Sequence, residues 1–246
     1  MKQRFDLEIE VDVADRLFSL LGRAVHSILE EHGRRAGLHD YVEQRLFADV
    51  DGWRISGGMD LWLEDADTPV ITDYKVTTVR SAYAKPEWIR QLNIYAWLFR
   101  VNHGRNPTGL QTCVILRDWS KMKVSGNYPP APIQKVVIPL WTPEQQDRYV
   151  RSRVKVHAAA RAQDAFDADL PLCTDEERWR REDTYALIKE GGKRATKVYD
   201  TREEAEDNMK AGYEIITRPG MPLRCMEFCE AAPFCSQWQS EKDQYE

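Results

Sequence analysis

Three charged side chains define the chemistry to be explained. Asp60 ends the segment Gly58-Met59-Asp60, and Asp73 and Lys75 flank Tyr74 in Thr72-Asp73-Tyr74-Lys75. Side chains alternate along a strand, so Asp73 and Lys75 share a face if this segment is extended. Two carboxylates beside an ammonium are costly in a plain apolar core. They are useful around a divalent cation and a phosphate. Carboxylate oxygens are hard ligands suited to Mg²⁺ or Mn²⁺. Phosphodiester hydrolysis needs a polarised phosphoryl oxygen, an oriented water and a stabilised leaving oxygen. The carbonyl of Tyr74 is a further candidate ligand, and Lys75 is a candidate to orient the water or hold a transition-state oxygen. The plainer reading makes the acids turn residues and the lysine a solvated charge, since isolated Asp-x-Lys triplets are common.

The elements that must carry these residues are legible from periodicity. Leu17, Leu20, Leu21, Ala24, Val25, Ile28 and Leu29 recur at helical spacing over Leu17 to His32, with Gly33 as a stop signal. Tyr41 to Val50 and Trp53 to Leu63 read as strands, the second broken by Gly57-Gly58, which suggests a bulge or a close approach by a ligand. Val70 to Thr77, entered through Pro69, is a third strand, and Pro86 opens a helix running to His103 and closed by Gly104. That helix puts Gln91 and Tyr95 one turn apart on one face. Leu110 to Arg117 and Ile133 to Leu140 are two more strands, the first a near-continuous apolar run. Thr142-Pro143-Glu144 starts a helix expected to reach Phe166. The order predicts an α/β fold with a central mixed β-sheet flanked by helices. Past Leu170 a polar segment, a hairpin around Gly191-Gly192, a helix near Thr201 and a cysteine-rich tail are expected.

Taken in order, these residues resemble the PD-(D/E)XK nuclease superfamily, with its restriction-endonuclease-like core, and within it the RecB-type branch. Gly22-Arg23-Ala24-Val25-His26 with Glu30 looks like the first helix, Gly58-Met59-Asp60 like the first catalytic acid, Asp73-Tyr74-Lys75 like the acid-x-lysine motif, and Gln91 to Tyr95 like the Q-x-x-x-Y signature. The match runs from about residue 17 to 118. The resemblance implies that His26, Asp60, Asp73 and the Tyr74 carbonyl ligate Mg²⁺ or Mn²⁺ and that Lys75 is the catalytic lysine. It implies that Gln91 and Tyr95 contact that lysine or the DNA backbone, with Glu43 as an additional acid on the first strand. For His26 the residues also allow a buried structural histidine on an apolar stripe, and for Tyr95 a packing role beside Leu92 and Phe99.

Cys225-x₃-Cys229-x₅-Cys235 lies near the end of the chain, and Cys173 stands apart upstream. Four thiolates can hold a zinc ion or an iron–sulfur cluster. Some RecB-type nucleases, AddB and the CRISPR-adaptation enzymes among them, carry a four-cysteine 4Fe–4S staple, and this pattern is similar. It departs in the three-residue first gap of the trio and in a lone cysteine that follows the core. The expectation is a 4Fe–4S cluster held by Cys173, Cys225, Cys229 and Cys235, with Zn²⁺ as the alternative. Cys113 lies in Thr112-Cys113-Val114-Ile115-Leu116 and reads as a small buried hydrophobe.

Composition sets the remaining bounds. With 246 residues, 42% hydrophobic and eight tryptophans, the chain can bury a substantial core. The expected organisation is a nuclease core over residues 1–170 and a cysteine-bearing region over 171–246 packed on it as one domain. A formal net charge of −5 argues against a protein that coats nucleic acid non-specifically. The basic runs Arg148 to Arg161 and Lys189 to Lys197 could still supply a local groove, or be a solvated helix face and a polar hairpin. No apolar run reaches the ~20 residues of a membrane span. The charged start MKQRFDLEIEVD lacks an apolar signal core, and five cysteines do not form an even disulfide framework. A cytoplasmic protein of a bacterium or virus-infected cell is expected, with phage or mobile-element origin as an association. The leading function is a metal-dependent DNA nuclease, exonuclease favoured over endonuclease, acting on DNA ends in recombination, repair or phage DNA processing, with a recombination or helicase partner. The alternative is a non-catalytic nucleic-acid-binding module that keeps the fold.

Overall fold

The computed structural model describes residues 17–38, 41–65, 68–162 and 170–245. They form two compact units, divided between Ala158 and Ala159. In the first, helix α1 (Leu17–Arg35) precedes strands β1 (Val42–Val50), β2 (Trp53–Asp65) and β3 (Thr68–Thr77). Helix α2 (Pro86–His103), β4 (Gly109–Leu116), β5 (Ile133–Ile138) and α3 (Pro143–Ala162) follow. The expected extension of α3 to Phe166 lies outside the described residues.

The sheet order is β1-β2-β3-β4-β5. All neighbours are antiparallel except β3 and β4, which run parallel, Asp73 beside Thr112 and Lys75 beside Val114. A parallel pair needs a long crossover, and α2 supplies it. Pro86 occupies its first turn, where a missing N–H costs nothing, and Gly104 caps it in the left-handed conformation at φ 68°. Because α2 lies over the sheet it is apolar around much of its girth: Trp88, Leu92, Ala96, Trp97, Leu98 and Phe99 are all buried. They close a core with Leu46, Ala48, Val50, Met59, Trp62, Ile71, Leu110 and Val114.

Four local readings change. Gly33 does not stop α1, which runs on to Arg35. A Cβ at Gly33 would sit 2.7 Å from Val42 Cγ1, so the glycine lets the helix approach β1. The apolar spacing of α1 does not mark a buried stripe, because Leu17, Phe18 and Ile28 are 60% or more exposed. The apolar run of β4 is one-sided: Leu110, Thr112, Val114 and Leu116 are buried, whereas Cys113 is half-buried on the other face. Pro69 lies within β3 and not before it, paired with Glu64.

The second unit has a three-stranded antiparallel sheet ordered β7-β6-β8: β6 (Thr184–Lys189), β7 (Ala195–Tyr199) and β8 (Tyr213–Arg218). Short helix α4 (Asp175–Arg178) precedes it and α5 (Arg202–Asp207) packs on it through Ala205 against Leu187 and Tyr199. Thr201 caps α5 by accepting from the Glu204 amide at 3.2 Å. The chain ends in short turns and helix α6 (Ser236–Gln239). Among the described residues no helix is long and apolar enough to cross a membrane.

Candidate active site

The site forms where β2 and β3 diverge. Their ladder is regular up to the pair Leu61–Thr72. Just beyond it the Tyr74 amide donates to Asp60 Oδ2 at 2.7 Å, so a side chain takes the donor that the ladder leaves open. The bond holds the Asp60 carboxylate, itself 9% exposed, against the β3 backbone.

His26 of α1 completes this corner. Its Nε2 lies 3.0 Å from the Tyr74 carbonyl oxygen, and its Nδ1 lies 3.5 Å from Asp60 Oδ1 and 3.7 Å from Glu43 Oε1. Both ring nitrogens face acceptors, the arrangement of an imidazolium. The bond to Asp60 is the main reason the His26 pKa rises from 6.5 to about 9, against the opposing effect of burial. The side chain is partly exposed and turned toward acids, so the buried structural histidine is not what forms.

Glu43 stands in β1 between Val42, paired with Leu61, and Gln44, paired with Met59, and so lies opposite Asp60. Its backbone is left-handed, φ 50°. Such a conformation costs a non-glycine residue about 1–3 kcal/mol and persists only where the surroundings impose it. Burial, with the charge of Asp60 second, raises the Glu43 pKa. His26, Glu43 and Asp60 each bring a ligand atom within 4.8 Å of the others, the one such group among the described residues. An imidazole and two carboxylates suit Mn²⁺ or Mg²⁺, and the Tyr74 carbonyl adds a neutral oxygen.

Asp73 and Lys75 form the second corner. Lys75 Nζ donates to Asp73 Oδ1 at 3.1 Å and lies 2.9 Å from Oδ2. Oδ2 is buried and ion-paired with Lys75 but has no aligned hydrogen-bond donor among the described residues, which leaves a carboxylate lone pair open to a cation. Asp73 is 1% exposed, and burial raises its pKa to about 6 despite Lys75. Lys75 also donates to Gln91 Oε1 at 3.2 Å, and Gln91 Nε2 donates to Tyr95 Oη at 2.8 Å. The α2 face thus reaches Lys75 through a relay of side chains.

Two neighbours escape a reading by motif. A Cβ at Gly57 would lie 2.8 Å from both the Tyr95 ring and Leu98. The close approach expected at Gly57-Gly58 is therefore made by α2, and pairing with β1 runs unbroken through both glycines. Trp62, an odd number of residues along, also packs on α2 through Phe99 and His103, so strict alternation of faces fails between them. Arg45, paired with Gly58, donates to Ser56 Oγ at 3.1 Å, and its charge acts on Tyr95. Strand register sets its place, and no motif marks it.

The four distal cysteines are free thiols in the second unit. Gln237 brackets Cys173, accepting from its amide at 2.9 Å and donating to its carbonyl at 3.0 Å. Burial raises the Cys173 thiol pKa, with Glu177, Cys235 and Cys225 adding to it; burial also raises that of Cys225, opposed by Arg178. The thiols are near enough to feel one another, but no three come within 4.8 Å among the described residues.

The sequence profile of the PD-(D/E)XK nuclease superfamily matches residues 12–236, and the chain belongs to that superfamily. No curated protein matches it. Among solved structures, that described as "Crystal structure of SSO0001" aligns at 18% identity and a TM-score of 0.39, over 56% of this chain and 60% of that one. The chain therefore spans under two thirds of that protein.

Proposed function

We propose that the protein is a Mg²⁺- or Mn²⁺-dependent deoxyribonuclease, with exonuclease action on DNA ends preferred. The observation that carries this is the pairing of a partly buried His26–Glu43–Asp60 donor set with Lys75, which is held between Asp73 and Gln91. A divalent cation bound there would polarise the phosphodiester and acidify its water. His26, Glu43, Asp60, Asp73 and the Tyr74 carbonyl would hold it. Lys75 positions the attacking water or neutralises a phosphoryl oxygen, and Gln91 fixes the direction of its ammonium. Tyr95 fixes Gln91 in turn.

The test is cleavage of linear DNA by the parent, Asp73→Ala and Lys75→Ala with Mg²⁺ or Mn²⁺, each variant checked for a parent-like thermal melt. Undiminished cutting by Lys75→Ala removes this assignment. An exonuclease digests linear DNA and leaves a covalently closed circle intact, so the same assay on both substrates decides the mode. Action beside a recombination protein or helicase is part of the proposal, and co-purification from cells is its check.

Cys173, Cys225, Cys229 and Cys235 are proposed as ligands of a 4Fe–4S cluster, supported by four free thiols in one compact unit and by the Gln237 clamp on Cys173. Iron and acid-labile sulfide in anaerobically purified protein test it, and a colourless protein with stoichiometric zinc supports zinc instead.

A further inference from the structure

A cavity of about 320 Å³ lies between β2, α2 and α3, with Ile55, Ile94, Val150 and Val154 among its apolar walls and Arg54, Arg153 and His157 at its basic edge. Ile94 adjoins Tyr95 on α2, and Ile55 precedes Gly57 by two residues of strand, about 7 Å. The basic run on α3 thus divides by role. Arg151 is occupied, 2.9 Å from Asp147 and 2.8 Å from Asp51. Arg153 is half-buried on the cavity wall and, like His157, makes no hydrogen bond or ion pair with any described residue.

A half-buried guanidinium over an apolar hollow, with no counter-ion among the described residues, matches a ligand that is flat and apolar at one end and anionic at the other. Resting on the nuclease reading above, we propose that this cavity is a nucleobase subsite: it takes one base of a single DNA strand passing through the site, with Arg153 and Arg54 on the adjoining phosphate. Bases bind apolar platforms with little sequence preference, as an end-processing enzyme requires. Phosphate contacts add affinity that weakens with salt.

The test is fluorescence anisotropy of the full-length protein in EDTA, which prevents cutting, with a labelled oligo-dT and a fully abasic strand of equal length. The parent should bind oligo-dT about tenfold more tightly than the abasic strand. Ile55→Trp, which puts an indole into the cavity, should remove most of that preference. Ile94→Trp does the same from the facing wall and replaces Ile55→Trp if that variant does not melt cooperatively. Arg153→Glu should weaken both strands and shallow the salt dependence. Equal binding of the two strands by the parent, or full preference in a well-folded filled variant, overturns the subsite. A parent that cuts DNA but shows no base preference loses the subsite alone. A parent that binds neither strand and cuts no DNA with any divalent cation loses the nuclease reading with it.

Discussion

Gln91 accepts from Lys75 across 3.2 Å, joining the helix that crosses over the sheet to the strand that carries the acids. A lysine has three donors on a flexible stem, and Asp73 alone constrains it from one side. The Gln91 carbonyl constrains it from another, and Tyr95 holds the Gln91 amide. Removing that constraint should affect turnover more than binding. Gln91→Leu is expected to lower kcat about ten- to hundredfold with KM little changed, while Lys75→Ala loses about a thousandfold or more. Steady-state kinetics on a linear duplex check both. A large rise in KM at constant kcat for Gln91→Leu would mean that Gln91 binds DNA instead.

Glu43 offers a separation of stability from activity. Its φ of 50° favours glycine, and its carboxylate is crowded by Asp60. Glu43→Gly should raise the melting temperature of the metal-free protein, by about 1 kcal/mol or more in stability, while lowering metal affinity. Glu43→Ala should lower affinity without that gain. Thermal melts and manganese titrations of the pair decide it, and a Glu43→Gly protein less stable than Glu43→Ala contradicts the strain argument.

Metal binding should depend on pH. The His26 pKa is raised to about 9, so its contribution to metal-free stability is complete below 6.5 and is lost as pH rises through 9. Asp73 is an acid raised to about 6, so its contribution is complete below 3.8 and is lost as pH rises through 6. A cation needs His26 neutral and Asp73 ionised, the forms that high pH favours. Manganese affinity should therefore climb from about pH 5 to about pH 9, with roughly one proton released near neutrality. Titration calorimetry in two buffers of different ionisation heat measures that release. Affinity flat with pH contradicts the assignment of His26 as a ligand.

Gly57 should tolerate no side chain. A Cβ there meets the Tyr95 ring and Leu98 at 2.8 Å, and overpacking of this kind costs about 1–3 kcal/mol. Gly57→Ala should lower both stability and turnover, and Gly57→Ala with Leu98→Ala should recover part of the stability. Denaturant melts of the single and double variants report the coupling directly.

The cysteines are expected to divide by position. Cys173→Ser and Cys225→Ser should each reduce bound iron and sulfide, while Cys113→Ser, on the half-buried face of β4, should leave both unchanged. Metal analysis of the three proteins is the measurement. Iron equal in all of them excludes these thiols as ligands.

The order of elements was legible because long apolar periods and prolines at element starts survive any tertiary context. Pro86 and Gly104 bound α2 by their backbone restrictions alone. The i, i+2 relation of Asp73 and Lys75 and the i, i+4 relation of Gln91 and Tyr95 are local and follow from strand and helix geometry. What escaped depends on partners distant in the chain. Gly33 looked like a helix stop because its contact, Val42, belongs to another element. β8 was not anticipated, since six residues carrying Glu214 and Arg218 become a strand only beside β6. The left-handed turn at Glu43 and the position of Arg45 come from register, which one sequence does not display.

The missing side chain at Gly57 also limits how such a chain can change over time. Tyr95 and Leu98 occupy the volume a Cβ would need. A lineage that gains a side chain at position 57 must first shrink Leu98 or move the tyrosine, and moving the tyrosine releases Gln91 and the lysine beyond it. The order of acceptable steps is therefore fixed: the helix yields before the strand. Two positions 38 and 41 residues from the glycine should change with it across relatives, although neither carries charge.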